Sequence, residues 1–276
     1  MRNLVGRYMA DGSTGEVVMA SGGGHIFVSP CDGRGIVYRT VDGVQFEEFW
    51  RTGEPRVSAL GFFADALFVG TEPEGKILMH NFSTGNRFHV VTTGDYGVGG
   101  FVALGARLFA GTFPSGEVLS FDGQDWTSEY VSFFSVSDMV AYKSEVYVFH
   151  SDAPFILKGK GKGTWGFIKD GDQTFSVSRL IRVRTSQSDL ASQPFSETGI
   201  SHAVALGEKL FFAGATTSNL YAYDGKAFSV ACQFSGGPVS AMTVSESQVF
   251  AASGDSVFIY EDETQQETAQ EAAGTT

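Results

Sequence analysis

Three residues have side chains that could do polar chemistry together: Arg56, Asp138 and His202. Each stands three places ahead of a small residue, Ala59, Ala141 and Ala205, within segments of similar apolar wording. A guanidinium, a carboxylate and an imidazole at one channel mouth could bind a small anion. The matching positions in the other three segments are Gly15, Gly100 and Pro238, which carry no reactive group. Catalysis needs several convergent polar groups, so the set reads as weak channel-mouth candidates on a scaffold. The remaining chemistry-bearing residues do not form a known constellation. His25, His80, His89, His150 and His202 lack HxH or HExxH spacing, so no metal site is expected. Cys31 and Cys232 stand outside any CxxC and read as free thiols. No GxSxG, phosphate loop or dinucleotide fingerprint occurs. No catalytic residue and no cofactor are therefore expected, and the chain does not read as an enzyme.

A second group of residues is electrostatic. Residues 143–184 carry eight of the 19 Lys and Arg residues and four acidic ones, a local charge of +4. The whole chain is −12, which leaves −16 elsewhere. Lys158, Lys160, Lys162, Arg179, Arg182 and Arg184 are thus the candidate contacts for an acidic or extended surface of another protein subunit. The overall negative charge argues against a protein that neutralises nucleic-acid phosphates. No apolar run is long enough to span a membrane, and the first residues lack the apolar stretch of a secretory signal.

The elements that must position these residues are written as a repeat. Leu67-Phe68-Val69-Gly70-Thr71, Leu108-Phe109-Ala110-Gly111-Thr112 and Leu210-Phe211-Phe212-Ala213-Gly214 are copies of one strand. Weaker copies begin at Ile26, Val146 and Val249, giving spacings of 41, 41, 38, 64 and 39 residues. Upstream of each lies a segment centred on a small residue: Val18, Ala59, Ala103, Ala141, Ala205 and Ala241. Downstream lies a third apolar strand, such as Lys76-Ile77-Leu78. In three copies an Asp-Gly pair and a fourth, aromatic-bearing strand follow: Asp42-Gly43, Asp122-Gly123 and Asp224-Gly225. Asp-Gly between apolar strands signals a hairpin.

Four antiparallel strands with a period near 40 predict an all-β, six-bladed β-propeller over residues 1–262. The high counts of Gly, 35, and Phe, 25, follow from its turns and strands. The last unit lacks a fourth strand, so the N-terminal segment Asn3–Tyr8 is expected to pair with Ser256–Tyr260 and close the ring. The 64-residue spacing holds an insertion at about 170–199, read as a loop or hairpin arm. Residues 263–276 form a polar C-terminal tail.

The LFxGT strand followed by F-D-G-x-x-W, as in Phe121-Asp122-Gly123-Gln124-Asp125-Trp126, resembles Asp-box and kelch-like propeller repeats. It also resembles the propellers of bacteriophage structural proteins. That resemblance implies a virion component of the tail, collar, baseplate or capsid surface that docks to other virion proteins; a cytoplasmic location is the alternative. Other expectations are a carbohydrate- or receptor-binding propeller, with a host glycan or receptor as partner, and a glycan-active enzyme. The Phe/Tyr-Arg-Ile-Pro start of sialidases is absent from this chain.

Overall fold

The computed structural model describes residues 17–42, 45–169, 173–175, 197–234, 237–245, 248–253 and 256–261. Among them there are strands and turns but no helix. The first sheet is β1 (Val17–Gly22), β2 (His25–Pro30), β3 (Ile36–Thr40) and β4 (Glu47–Arg51), hydrogen-bonded in that order. The second is β5 (Arg56–Phe63), β6 (Ala66–Glu72), β7 (Lys76–Asn81) and β8 (Arg87–Thr92). The third is β9 (Gly97–Leu104), β10 (Arg107–Phe113), β11 (Glu117–Phe121) and β12 (Trp126–Val131). The fourth has five strands: β13 (Val136–Tyr142), β14 (Glu145–His150), β15 (Leu157–Gly159), β16 (Gly166–Lys169) and β17 (Gln173–Phe175). The fifth is β18 (Ile200–Leu206), β19 (Lys209–Gly214), β20 (Asn219–Tyr223) and β21 (Phe228–Gln233). The sixth is β22 (Val239–Ser245), β23 (Gln248–Ser253) and β24 (Ser256–Glu261). Six successive antiparallel blades make the chain a six-bladed β-propeller. The expected closing strand, residues 3–8, and the polar tail lie outside the described residues.

The chain divides into two compact units. In the first, blades one to three stack through apolar faces. Phe27, Val37 and Trp50 of blade one meet Val57, Leu60 and Leu67 of blade two. Ala59, Phe68 and Ile77 of blade two meet Val98, Leu108 and Ala110 of blade three. In the second unit, Tyr147 and Phe149 pack with Phe212 and Tyr221, and Phe211 and Leu220 pack with Val239 and Val249. The second strand of a blade is apolar on both faces because both are covered; every residue of β6 is buried. Two of the three Asp-Gly turns form hairpins as their wording predicts; Gly43 of the third lies outside the described residues. Asp122 Oδ1 accepts the Gln124 and Asp125 amides, both at 2.9 Å, and Asp224 Oδ1 accepts the Lys226 and Ala227 amides at 2.8 and 2.9 Å.

The small residues of the inner strands have a specific cause. Val57 pairs with Thr71 but Ala59 pairs with Gly70, so Ser58 is an extra, bulged residue. Gly99, Ser201 and Ser240 are bulged in the same way in β9, β18 and β22. The bulge faces the next inner strand. The Ser58 hydroxyl donates to the Val98 carbonyl at 2.8 Å, and Ser201 Oγ stands 3.5 Å from the Val239 carbonyl. A Cβ on Gly99 would lie 1.9 Å from the Val136 carbonyl oxygen. Backbone approaches this close exclude large side chains.

In the first three blades a second device joins the end of the outer strand to the loop between the second and third strands. Thr52, Thr93 and Ser132 donate their amides to the carbonyls of Gly35, Gly75 and Gly116, at 3.0, 3.1 and 2.9 Å. Their hydroxyls accept the amides of Glu54, Asp95 and Phe134. The three loop glycines have φ of +60°, +53° and +70°. A Cβ on any of them would lie within 2.5 Å of the carbonyl oxygen of Glu54, Asp95 or Phe134, so only glycine fits.

Candidate functional site

The hairpin register revises the channel-mouth set. Asp138, His202 and Gly100 each stand two residues beyond a buried apolar residue near the start of the inner strand, Val136, Ile200 and Val98. Their equivalent in β5 is Ala59, two residues beyond Val57, and not Arg56. Arg56 falls in another row because the turn joining inner and second strands is reached later from Ala59 than from Ala141 or Ala205. It forms an ion pair with Glu72 across its own hairpin, Nε to Oε1 at 2.7 Å. Asp138 Oδ1 accepts the amide of Met139 at 2.7 Å. His202 pairs in register with Ala213. Arg56 thus occupies a different position in the repeat from Asp138 and His202.

The basic candidates separate as well. Lys158 is on β15 with a side chain only 10% exposed, and its Nζ lies 3.2 Å from Glu145 Oε2. Its charge is answered inside its own blade by Glu145. Lys160 and Lys162 are exposed on the turn between β15 and β16, where the Lys160 amide donates to Thr164 Oγ1 at 2.9 Å. That turn is at the end of the sheet where β17 finishes, because Phe175 pairs with Phe167 near the start of β16. Arg179, Arg182 and Arg184 lie outside the described residues. The fifth strand, β17, shows that the insertion begins by extending blade four at its outer edge.

Carboxylates that the repeat wording places systematically went unnoticed in the sequence reading. Glu54, Asp95 and Glu197 each precede by three residues the buried residue just ahead of an inner-strand bulge: Val57, Val98 and Ile200. Each reaches the following blade's loop between second and third strands. Glu54 pairs with Lys76 Nζ at 3.0 Å. Asp95 Oδ2 accepts the hydroxyls of Thr112 and Ser115, both at 2.6 Å. Glu197, only 7% exposed, accepts the Thr216 hydroxyl at 2.7 Å, the Thr217 hydroxyl and the Tyr221 hydroxyl at 3.0 Å. Burial alone raises the Glu197 pKa, but the hydroxyl and amide donors outweigh it and hold the carboxyl below its ordinary value. These acids tie loops together. The signal that could have found them is an Asp or Glu three places before Val57, Val98 and Ile200, the residues just ahead of the bulge in three of the inner strands.

A cleft of about 290 Å³ in the second unit is lined by Lys209, Ala222, Asp224, Ser229, Val230 and Tyr260. The Asp224 carboxylate is already held by its own turn. Among the described residues no group of three or more His, Cys, Asp or Glu could hold a metal ion, and Cys31 Sγ donates to the Val57 carbonyl at 3.6 Å. No described helix is long and apolar enough to cross a membrane.

The chain matches no protein-family profile and no curated protein sequence. Its fold is similar to many solved structures. Virginiamycin B lyase from Staphylococcus aureus is 10% identical with a TM-score of 0.67, covering 91% of this chain and 85% of that one. The WD40 repeats of RRP9 are 14% identical with a TM-score of 0.62, covering 87% and 73%. The extracellular domain of a one-component system, BT4673, from B. thetaiotaomicron is 13% identical with a TM-score of 0.63, covering 92% of this chain. The chain spans about a third of that structure, and of PorZ, a surface component of the type-IX secretion system of Porphyromonas gingivalis. At these identities the likeness shows the propeller fold alone. One of these proteins is an enzyme and others are extracellular or surface components, so the shared fold serves more than one kind of work.

Proposed function

We propose that the chain is a non-enzymatic docking protein of a larger assembly, a bacteriophage virion component of the tail, collar, baseplate or capsid surface. The observation that carries the docking role is the departure of blade four from the repeat. Its sheet gains a fifth strand, β17, at the outer edge, and this strand opens an insertion bearing Arg179, Arg182 and Arg184 on a chain of net charge −12. Inserted loops on a repeated scaffold carry specificity. A basic arm on an acidic body orients the chain against an acidic partner surface. Lys160 and Lys162 add exposed positive charge on the same blade. The virion assignment draws on the likeness of the blade wording to phage structural propellers.

The test is co-assembly. The full chain is expected to co-sediment with assembled particles, and replacing Arg179, Arg182 and Arg184 by Glu is expected to abolish that association while the circular-dichroism spectrum stays unchanged. A chain that remains a monomer and never appears in particles or with partner subunits overturns the reading.

A further inference from the structure

The first unit carries a cluster of positive groups that neither the insertion nor the repeat explains. Arg39 on β3 and Arg87 on β8 both lie against the ring of Phe49 on β4, with guanidinium carbons 5.0 and 5.1 Å from its centroid. Arg87 is also 5.5 Å from the Trp50 ring. His80 stands beside them, edge-on to Phe49 at 4.9 Å. These side chains meet because the outer strands of blade one pack on β7 and β8 of blade two.

Arg87 is fixed in place. Its Nη2 donates to the Phe49 carbonyl at 2.7 Å and its Nε donates to His80 Nδ1 at 3.3 Å. The second bond requires an unprotonated Nδ1, so His80 is neutral here. Burial first, and then the charges of Arg87 and Arg39, hold the His80 pKa below its ordinary value. The cluster therefore already resists further positive charge. The compensating charge is small. Glu47 Oε1 accepts from Arg39 Nε at 2.6 Å, and this carboxylate is 66% exposed. Among the described residues no carboxylate pairs with Arg87. Nearby Arg51 and Glu48 are paired with each other at 2.7 Å.

Two guanidinium groups on one aromatic ring repel each other. The pair is held by stacking and by hydrogen bonds that use one edge of each fork. The Nη atoms of Arg39 and Nη1 of Arg87 stay available as donors. Donors fixed in advance, with excess positive charge, match an oxyanion. We propose that Arg39 and Arg87, stacked on Phe49, form a binding site for a small oxyanion, a phosphate or carboxylate group. This site is independent of the docking arm of blade four.

The test titrates the full chain with inorganic phosphate and, separately, with acetate, following the Arg87 Nε–H and Trp50 Nε1–H resonances by NMR. A saturable shift with at least one anion is expected, and the tighter of the two assigns a phosphate or a carboxylate source. In Arg39→Gln the affinity should fall at least tenfold; if that variant does not fold, Arg39→Lys, which keeps the charge but not the fork, should show a similar loss. Shifts that never saturate with either anion overturn the proposal. So does saturation that the Arg39 variants leave undiminished.

Discussion

The hydroxyl of Ser58 donates to the carbonyl of Val98, a residue in the inner strand of the next blade. Ser201 and Val239 stand in the corresponding positions in the last two blades. Ser58→Ala removes one hydrogen bond and should cost about 1 kcal/mol. Gly99→Ala at the equivalent bulge should cost more, because its Cβ would sit 1.9 Å from a backbone oxygen that cannot rotate away; roughly 3 kcal/mol is the scale of such overpacking. Urea denaturation of both variants checks the order, and equal losses would show that the bulge is not held by close approach.

His150 sets an acid limit on stability. Its ring is fully buried, with Nδ1 2.9 Å from the Phe155 carbonyl oxygen. Burial pulls its pKa down from 6.5 to about 4, outweighing the carbonyl bond and the charge of Asp152. The folded chain thus binds its proton more weakly than the unfolded chain. Stability from this group is intact above pH 6.5 and declines as pH falls toward 4, by roughly 3 kcal/mol in total. His150→Phe should flatten the stability profile across that window. A profile with the same slope in the variant would assign the dependence to other groups.

The sequence made the strands legible because β6, β10 and β19 must be apolar on both faces, and Leu-Phe-x-Gly-Thr wording survives in two blades and as Leu-Phe-Phe-Ala-Gly in a third. The Asp-Gly turns were legible because the carboxylate answers amides two and three residues away. The inner-strand rows were not. Ala59 and Ala205 look equivalent by composition, yet the bulge at Ser58 and the later turn after Phe63 put Ala59 level with His202. Distance from a marker residue cannot reveal hairpin register. The Thr52–Gly35 contact and the Arg39–Phe49–Arg87 stack were hidden for a different reason. They join residues remote in sequence that meet only when strands and blades pack. Glu54, Asp95 and Glu197 were readable, since their spacing to the inner strand is constant.

Glu197 gives a second, lower acid transition. Its folded pKa lies below the ordinary 4.5, so its contribution is present above that value and is lost as pH falls through the folded pKa. Glu197→Gln keeps the shape but removes the charge that strengthens the hydroxyl bonds from Thr216, Thr217 and Tyr221. A loss of about 2 kcal/mol at pH 7 is expected, with a shallower decline below pH 4.5 than in the parent chain. Thermal melts at pH 7 and pH 3.5 measure both effects. An unchanged melt at pH 7 would mean that the loop is held without this carboxylate.

Phe133 has the backbone of a glycine. It follows Ser132 just as Gly53 follows Thr52 and Gly94 follows Thr93, and all three residues have positive φ, +63°, +82° and +81°. The left-handed region costs a residue with a Cβ on the order of 1 kcal/mol. The Phe133 side chain is 62% exposed, so burial recovers little of that cost. Phe133→Gly should therefore stabilise the isolated chain by about 1 kcal/mol, the reverse of most aromatic deletions. On the proposed docking role this exposed ring is a candidate contact, so the same variant is expected to associate less tightly in the co-sedimentation test. Denaturation midpoints and co-sedimentation, read together, decide the matter. A destabilised variant would place the ring in the fold's own packing, and a stabilised variant with undiminished association would remove Phe133 from the docking surface.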